Sequence, residues 1–521
     1  MNSVVTLTLH FLALGLLGSF RGQIFRGCFV AIRDLHCRNT VDIAKKHAPS
    51  NVTFQQSSTR RLQFMLIPYP SWLSPGDNAW QLLAATLVGL MSIPGIAVLY
   101  GGIVHKKWTV NTMTMAFTAF ASVLIVWVLW AFKMGFGTPV HLGPGFLSQF
   151  IGHPGAVLDH LGEQAQANIP LLSSGMPSFR FPSSSLVYFQ FVFAAITPLL
   201  FLGSVLGRMS FKAWAIFVPL WTTFIYSVNA FLIWGGGYFA AKGAVDYSGG
   251  YVIHLAAGVS GFVAAAVVGP RLKRDRENSS PTNLLLVAVG AGILWLGWNG
   301  FNGGDPYFAG ADAAAAVLNT NLATGAALLT WLFMDMGSKY RKPTFLGAVN
   351  GMIVGLVGIT PAAGYVNGWG ALAIGIIGSA VVWFSFNKLS KKWIFAKVDD
   401  ALGVVHTHGL AGLMGGLMTG LFADPKMIVY LGTGKASNVD VAGLFYGHPW
   451  QFMLQLFAAL WVIGYSAIGT FILLRLIKLF MPLRFPDDVL EIGDLAIHGE
   501  QVEPTETAHR VLPAAAGGGY E

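Results

Sequence analysis

Apolar stretches of about 20 residues, long enough to span a bilayer core of about 30 Å, follow one another along the chain from Asn78. The pattern predicts spans near 79–101, 109–132, 184–206, 212–235, 248–269, 283–301, 314–336, 344–362, 368–387, 402–423 and 451–480. It specifies an all-α integral membrane protein with eleven transmembrane helices in a lipid bilayer. Polar connections between the spans carry most of the charge. Loops after the first, third, fifth, seventh and ninth spans hold fifteen Lys and Arg, and the alternate loops hold five. Basic residues in short loops stay on the cytoplasmic side. The membrane domain is therefore expected to start outside, with its C-terminal tail in the cytoplasm.

Two distant spans share one pattern. Asp246, Gly249, His254, Gly258 and Gly261 match Asp400, Gly403, His408, Gly412 and Gly415 in spacing. Glycine is abundant here, at 63 of 521 residues, so the Asp and His carry the information. The two spans run in opposite directions. Eight residues of helix rise about 12 Å, which brings His254 and His408 from opposite faces to the midplane. "AAITP" (194–198) and "VGITP" (357–361) form a second echo. Spans one to five and six to ten thus read as a five-helix inverted repeat around a central pore, the interface at which such repeats transport. Two residues turn a helix by about 200°, so His406 and His408 cannot both face a straight pore; the repeat selects His408.

A histidine inside a soluble core is usually just a satisfied core residue. Ionisable groups in a membrane span are expensive and usually face the bundle interior or a cavity. A related pair therefore reads as pore-lining. A neutral imidazole offers one donor and one acceptor nitrogen, which suits a small, polar, uncharged permeant, whereas a bare cation pays heavily for desolvation in the same place.

Composition narrows the picture further. Charged residues make up 11% of the chain and hydrophobic ones 54%. The net charge of +9 is spread over short loops, which reflects topology and not nucleic-acid binding. Cys28 and Cys37 are the only cysteines, so the membrane body holds neither a disulfide nor a cysteine metal site. No metal cluster, cofactor motif or nucleophile motif is evident, and the chain is not expected to be an enzyme. Residues 1–66 differ from the body. They read either as a processed signal or targeting segment or as an unprocessed extension or anchor. Residues 67–480 form the membrane domain and 481–521 the tail, whose end is rich in small residues. The loop 133–182, with little charge, is expected to pack over the outer face.

"DYSGGYVIH", "WLGWNGFNGG", "WGGG" and "HTHGLAGLMGGLMTGLFADP" resemble the ammonium transporters of the Amt/Mep/Rh family. The resemblance covers about residues 75 to 500, and "DNAWQLLAATLVGLMSIPG" resembles the plant and microbial Amt/Mep branch. It implies the ammonium-transporter fold, a homotrimer in the plasma membrane, and ammonium or ammonia as substrate. By position, Trp234 matches the outer-vestibule tryptophan, Phe193 and Phe301 the stacked gate, and His254 and His408 the twin pore histidines. Gln190 lies one turn from Phe193 on the same span. Asp246 matches the aspartate beside the entrance, which shapes the site or relays a proton. The vestibule position often held by serine is Asp305 here, a carboxylate that either strengthens cation capture or sits solvated in its loop.

"EIGDLAIHGE" (491–500) resembles the family's cytoplasmic segment that contacts a neighbouring subunit. Ala496 stands where some plant relatives carry a phosphorylatable threonine. Two titratable rings in series, where a purely apolar tube would suffice for a gas, lead to the expectation of ammonium uptake with net charge following the permeant. An electroneutral conduit of the Rh type and an ammonium sensor are the alternatives.

Overall fold

The computed structural model describes residues 70–141, 147–173, 179–278, 280–339, 341–430 and 438–502. The N-terminal segment and its two cysteines, and the tail beyond Val502, lie outside the described residues.

The body is helical. Its helices are α1 (Pro75–Ile103), α2 (Lys106–Phe136), α3 (Ser183–Val205), α4 (Phe211–Ala241, interrupted at Trp234–Gly237), α5 (Gly250–Val268), α6 (Leu284–Gly303) and α7 (Ala311–Gly337). They continue with α8 (Phe345–Ile359), α9 (Gly368–Lys391), α10 (Val405–Leu410 running into Ala411–Phe422) and α11 (Pro449–Lys478). Two short helices, α12 (Asp487–Ile492) and α13 (Asp494–His498), complete the described tail. The only strand pairing among the described residues is the two-residue contact of Val429–Tyr430 with Asn438–Val439.

Among the described residues, nine helices are long and apolar enough to cross a membrane, against the eleven expected. The two remaining segments are helical but fall short. α8 has 15 residues, about 22 Å of rise, because the chain turns at Thr360 and Pro361. α10 begins with the two-histidine segment Val405–Leu410, which dilutes its hydropathy.

α3 is apolar all round, and 94% of its central window is buried; such a helix belongs in the middle of a bundle. α7 and α11 bury only 33% and 28% of theirs and present the rest outward. Pro198 and its counterpart Pro361 each remove a backbone donor. The threonine before each proline bonds four residues back, Thr197 Oγ1 to the Phe193 carbonyl at 2.8 Å and Thr360 Oγ1 to the Leu356 carbonyl at 2.7 Å.

The repeated pattern forms a reciprocal joint. Gly249 (φ 110°) and Gly403 (φ 68°) both adopt left-handed backbone, a conformation that favours glycine. Each is followed by a wide π-helical segment, Gly250–Leu255 in α5 and Val405–Leu410 in α10; such segments are rare and recur at functional sites. Gly258 lies against the backbone of Gly409, and Gly412 lies against the backbone of Gly250 and Leu255. A side chain at either glycine would collide with main chain.

The tail folds back against the helix ends around Lys107 and Arg208. Ser210 N–H donates to the Leu483 carbonyl at 2.8 Å and Phe485 N–H to the Arg208 carbonyl at 2.9 Å. The Asp494 carboxylate then accepts the backbone N–H groups of Val110 and Asn111, both at 2.8 Å, at the start of α2. Lys107 donates to the Leu490 carbonyl at 2.9 Å, and His498 pairs with the Asn111 amide oxygen at 3.0 Å. The segment that resembles an intersubunit contact thus rests on the start of α2 of its own chain.

Candidate permeation site

Two cavities approach each other through the bundle. One, called the outer cavity after the orientation expected from the sequence, is about 540 Å³ and is lined by Trp234, Asp246, Tyr247, Asp305, Tyr307 and Tyr365 among others. Ile169 and Leu172 of the long loop 133–182 also reach it, so part of that loop covers this face. The inner cavity, about 490 Å³, is lined by Tyr100, Asp335, Asp400, His406 and His408 among others. Between the two stand Phe193, Phe301, Trp298 and His254, all fully buried.

Asp246 sits where α5 begins. Its two oxygens accept the backbone N–H groups of Gly249, Gly250, Tyr251 and Val252 at 2.6–3.2 Å. These are the donors a helix start leaves without partners, and a carboxylate also suits the positive end of the helix. Asp400 does the same for α10 through Val405 N–H at 2.9 Å. The repeated aspartate is thus a helix cap in both halves. The Asp246 main-chain carbonyl accepts from the Trp234 indole at 2.7 Å, which fixes that ring in the cavity wall beside the break in α4.

Trp234 meets Phe193 edge-on, with ring centres 6.2 Å apart. Phe193 and Phe301 stack at 4.3 Å and 17°. Phe301 lies against Trp298 at 4.9 Å, and Trp298 stacks on the His254 ring at 5.3 Å. Below them His254 Nδ1 and His408 Nδ1 are 3.3 Å apart. One Nδ1 must then donate and the other accept, so of the two Nε2 atoms one is a donor and the other an acceptor. His254 Nε2 is buried without a protein partner.

The remaining sequence candidates fall in different places. Asp305 is 8% exposed, in the wall of the outer cavity and bonded by Ser248 Oγ, so it is not a solvated loop residue. Gln190 is fully buried, and its amide donates to the Tyr307 hydroxyl at 2.8 Å. It stands behind the outer cavity wall, supporting Tyr307. His406 lines the inner cavity together with His408, contrary to the expectation that only one of them would face the passage. The inner cavity is wide enough to reach both rings. His406 pairs through Nδ1 with Ser385 Oγ at 2.8 Å, while His408 alone meets His254. Among the described residues no group of three or more His, Cys, Asp or Glu is arranged to hold a metal ion.

Residues 79–503 match the model of the Ammonium Transporter Family. The chain belongs to the ammonium transporter family. It is 49% identical over 435 residues to Ammonium transporter 2 of Arabidopsis thaliana, covering 83% of this chain and 89% of that one. It is 48% identical over 443 residues to Ammonium transporter 3 member 2 of Oryza sativa subsp. japonica, covering 82% and 90%. Among solved structures, Saccharomyces cerevisiae Mep2 superposes with a TM-score of 0.69 at 28% identity, covering 80% of this chain and 90% of that one. A structure described as a sensor Amt protein superposes equally well, 0.69, at 22% identity. That likeness concerns fold alone, so the fold of this ammonium transporter does not separate conduction from sensing.

Sequence reasoning passed over Ser248, Tyr307, Trp298 and Ser385. Each acts on a residue far away in sequence, and the repeat marks none of them. The capping role of Asp246 had a local signal, an Asp just before an apolar run with glycine three positions on.

Proposed function

We propose that this ammonium transporter recruits ammonium in the outer cavity and removes its proton there. Ammonia then passes between Phe193 and Phe301 and along His254 and His408 to the inner cavity, with net charge following. The contact that carries the reading is the His254–His408 pair, held at 3.3 Å between two cavities.

A cation over an aromatic face gains roughly 0.5–2 kcal/mol, more as water is removed, so Trp234 and the carboxylates near it favour ammonium over neutral solutes. Potassium is attracted there too. It has no proton to surrender, and an unneutralised charge faces a steep penalty in the buried aromatic stretch. Ammonia passes because it needs only one donor and one acceptor, which the paired imidazoles supply.

The same reading has residues 67–480 crossing the plasma membrane eleven times, with α1 starting outside and the tail from residue 481 in the cytoplasm. The excess of basic residues in alternate loops supports that orientation. The assembly is a homotrimer, as the family resemblance implies.

Recording current and labelled-ammonium uptake together in oocytes tests the mechanism. Uptake with inward current, and no current with potassium alone, is expected. Uptake without current leaves an electroneutral conduit. Binding without flux leaves a sensor. His254→Ala is expected to impair uptake or potassium exclusion; a variant unchanged in both refutes the pore-lining role.

A further inference from the structure

The outer cavity contains a proton arrangement that the transport reading leaves unused. Ser248 Oγ bonds both the Phe301 carbonyl, at 2.8 Å, and the Asp305 carboxyl. A hydroxyl has one hydrogen to give, so it cannot donate to both at once. With Asp305 ionised, Ser248 donates to Asp305. With Asp305 protonated, Asp305 donates to Ser248 and Ser248 turns its hydrogen to the Phe301 carbonyl. Both protonation states leave the buried hydroxyl with a donor role and a partner.

We propose that Asp305 is the proton acceptor at which ammonium becomes ammonia in this chain, with the Ser248 hydroxyl switching between two partners as it does so. This rests on the transport reading above. In the step, an ammonium N–H bond breaks and its electron pair stays on nitrogen, giving ammonia. The proton forms an O–H bond on Asp305, which now donates to Ser248 Oγ. The proton leaves afterwards to water in the outer cavity or inward behind the permeant; the acceptor step is common to both routes.

Asp246 is the other buried carboxylate in this wall, and its geometry argues against the same role. Both its oxygens are committed to four backbone N–H groups, and a proton there would disrupt the start of α5. Asp305 gives up nothing of that kind. Burial, opposed by the Ser248 hydrogen bond and assisted by the charge of Asp246, pushes its carboxyl well above the ordinary range. That narrows the gap between a carboxyl and an amine, which in water differ by several units. The other titratable groups around this cavity are Tyr247, Tyr307, Tyr365, Asp440 and His448. Ser248 also ties the acceptor to the backbone of Phe301, one of the two stacked rings below it.

The test uses the full chain in oocytes, with surface labelling to normalise each variant. Uptake of labelled ammonium is measured at limiting and saturating substrate, across a series of external pH values from the ordinary carboxylate range upward. Asp305→Asn keeps a partner for Ser248 and cannot take the proton. Its saturating rate is expected to fall by roughly a hundredfold or more, the scale of a lost acid–base group, and its pH response to flatten. A capture-only role predicts instead a raised half-saturation concentration that saturating ammonium overcomes; that result, or no change, overturns the proposal. Ser248→Ala is expected to lower the saturating rate and alter the pH profile while leaving half-saturation near wild type. If Asp305→Asn fails to reach the surface, an unaltered Ser248→Ala profile overturns the proposal by itself. A wild-type chain that moves no ammonium is a distinct result, which removes the transport reading beneath it.

Discussion

The joint between α5 and α10 can be tested without touching either histidine. In Gly258→Ala the new methyl group would overlap the Gly409 Cα and nitrogen and lie 3.3 Å from the His408 carbonyl carbon. The obstacle is backbone, so no rotamer change relieves it, and the helices must separate. The histidines respond first, because their Nδ1 atoms are already 3.3 Å apart. A further opening of about 0.3 Å takes the pair to the 3.6 Å at which a hydrogen bond is lost. Losing one such bond is worth about 0.5–1.5 kcal/mol, roughly a two- to tenfold lower rate if the pair acts on the permeant. Overpacking a core costs about 1–3 kcal/mol, of which alanine's better helix propensity returns up to about 1 kcal/mol. Labelled-ammonium uptake and thermal melting in detergent should therefore both decline. Gly412→Ala, against the backbone of Gly250 and Leu255, should behave alike. Gly464→Ala in α11, with open space around it, should lower neither. A Gly258→Ala protein with wild-type melting and uptake would refute the claim that close helix approach sets the histidine pair.

Two other predictions concern the stacked aromatic pair and the tail. Phe301→Ala removes a ring stacked on Phe193 at 4.3 Å, at a stability cost of about 3–5 kcal/mol for a buried phenylalanine; oocyte recordings should show potassium current that the wild type lacks. Asp494→Ala leaves the Val110 and Asn111 N–H groups without their carboxylate, a loss of about 0.5–2 kcal/mol for a helix cap; limited proteolysis should cut the tail sooner, while a tail cleaved at the wild-type rate would show that Asp494 does not hold it.

The spans and the paired histidines were legible because each leaves a mark along the chain, whereas Phe193 and Phe301 were placed by the family resemblance alone. Apolar length marks a span, and Asp-to-His spacing recurs in the two repeats. The shortness of α8 was not legible, since the apolar run continues to Ala363 while the helix stops at Ile359. Nor were the π-helical segments, because the helical periodicity assumed for "GYVIHL" and "VHTHGL" takes regular α-helix for granted. That assumption set His406 against His408 as alternatives, whereas both reach the inner cavity. The Ser248 link joins Asp305 and Phe301 across 57 and 53 positions, a relation that no local spacing encodes. The docking of Asp494 on α2 spans more than 380 positions and is equally silent in sequence.

The repeat supplies the same scaffold twice and different chemistry at each end. Both copies contain an aspartate cap, a left-handed glycine, a π-helical segment carrying the histidine, and a glycine against the opposite backbone. At the outer copy, Asp246 adds a carbonyl that fixes Trp234, and Ser248 connects Asp305 to Phe301. At the inner copy, the position two residues after Asp400 is Leu402, and the nearby polar group is instead His406 held by Ser385. The indole held by the capping aspartate and the carboxyl held by Ser248 therefore belong to the outer copy, while the imidazoles sit on the shared joint. A symmetric frame with symmetric ends would have no preferred side for binding the charged form. On the proposed reading, recruitment falls to residues outside the repeated pattern and passage to the residues within it.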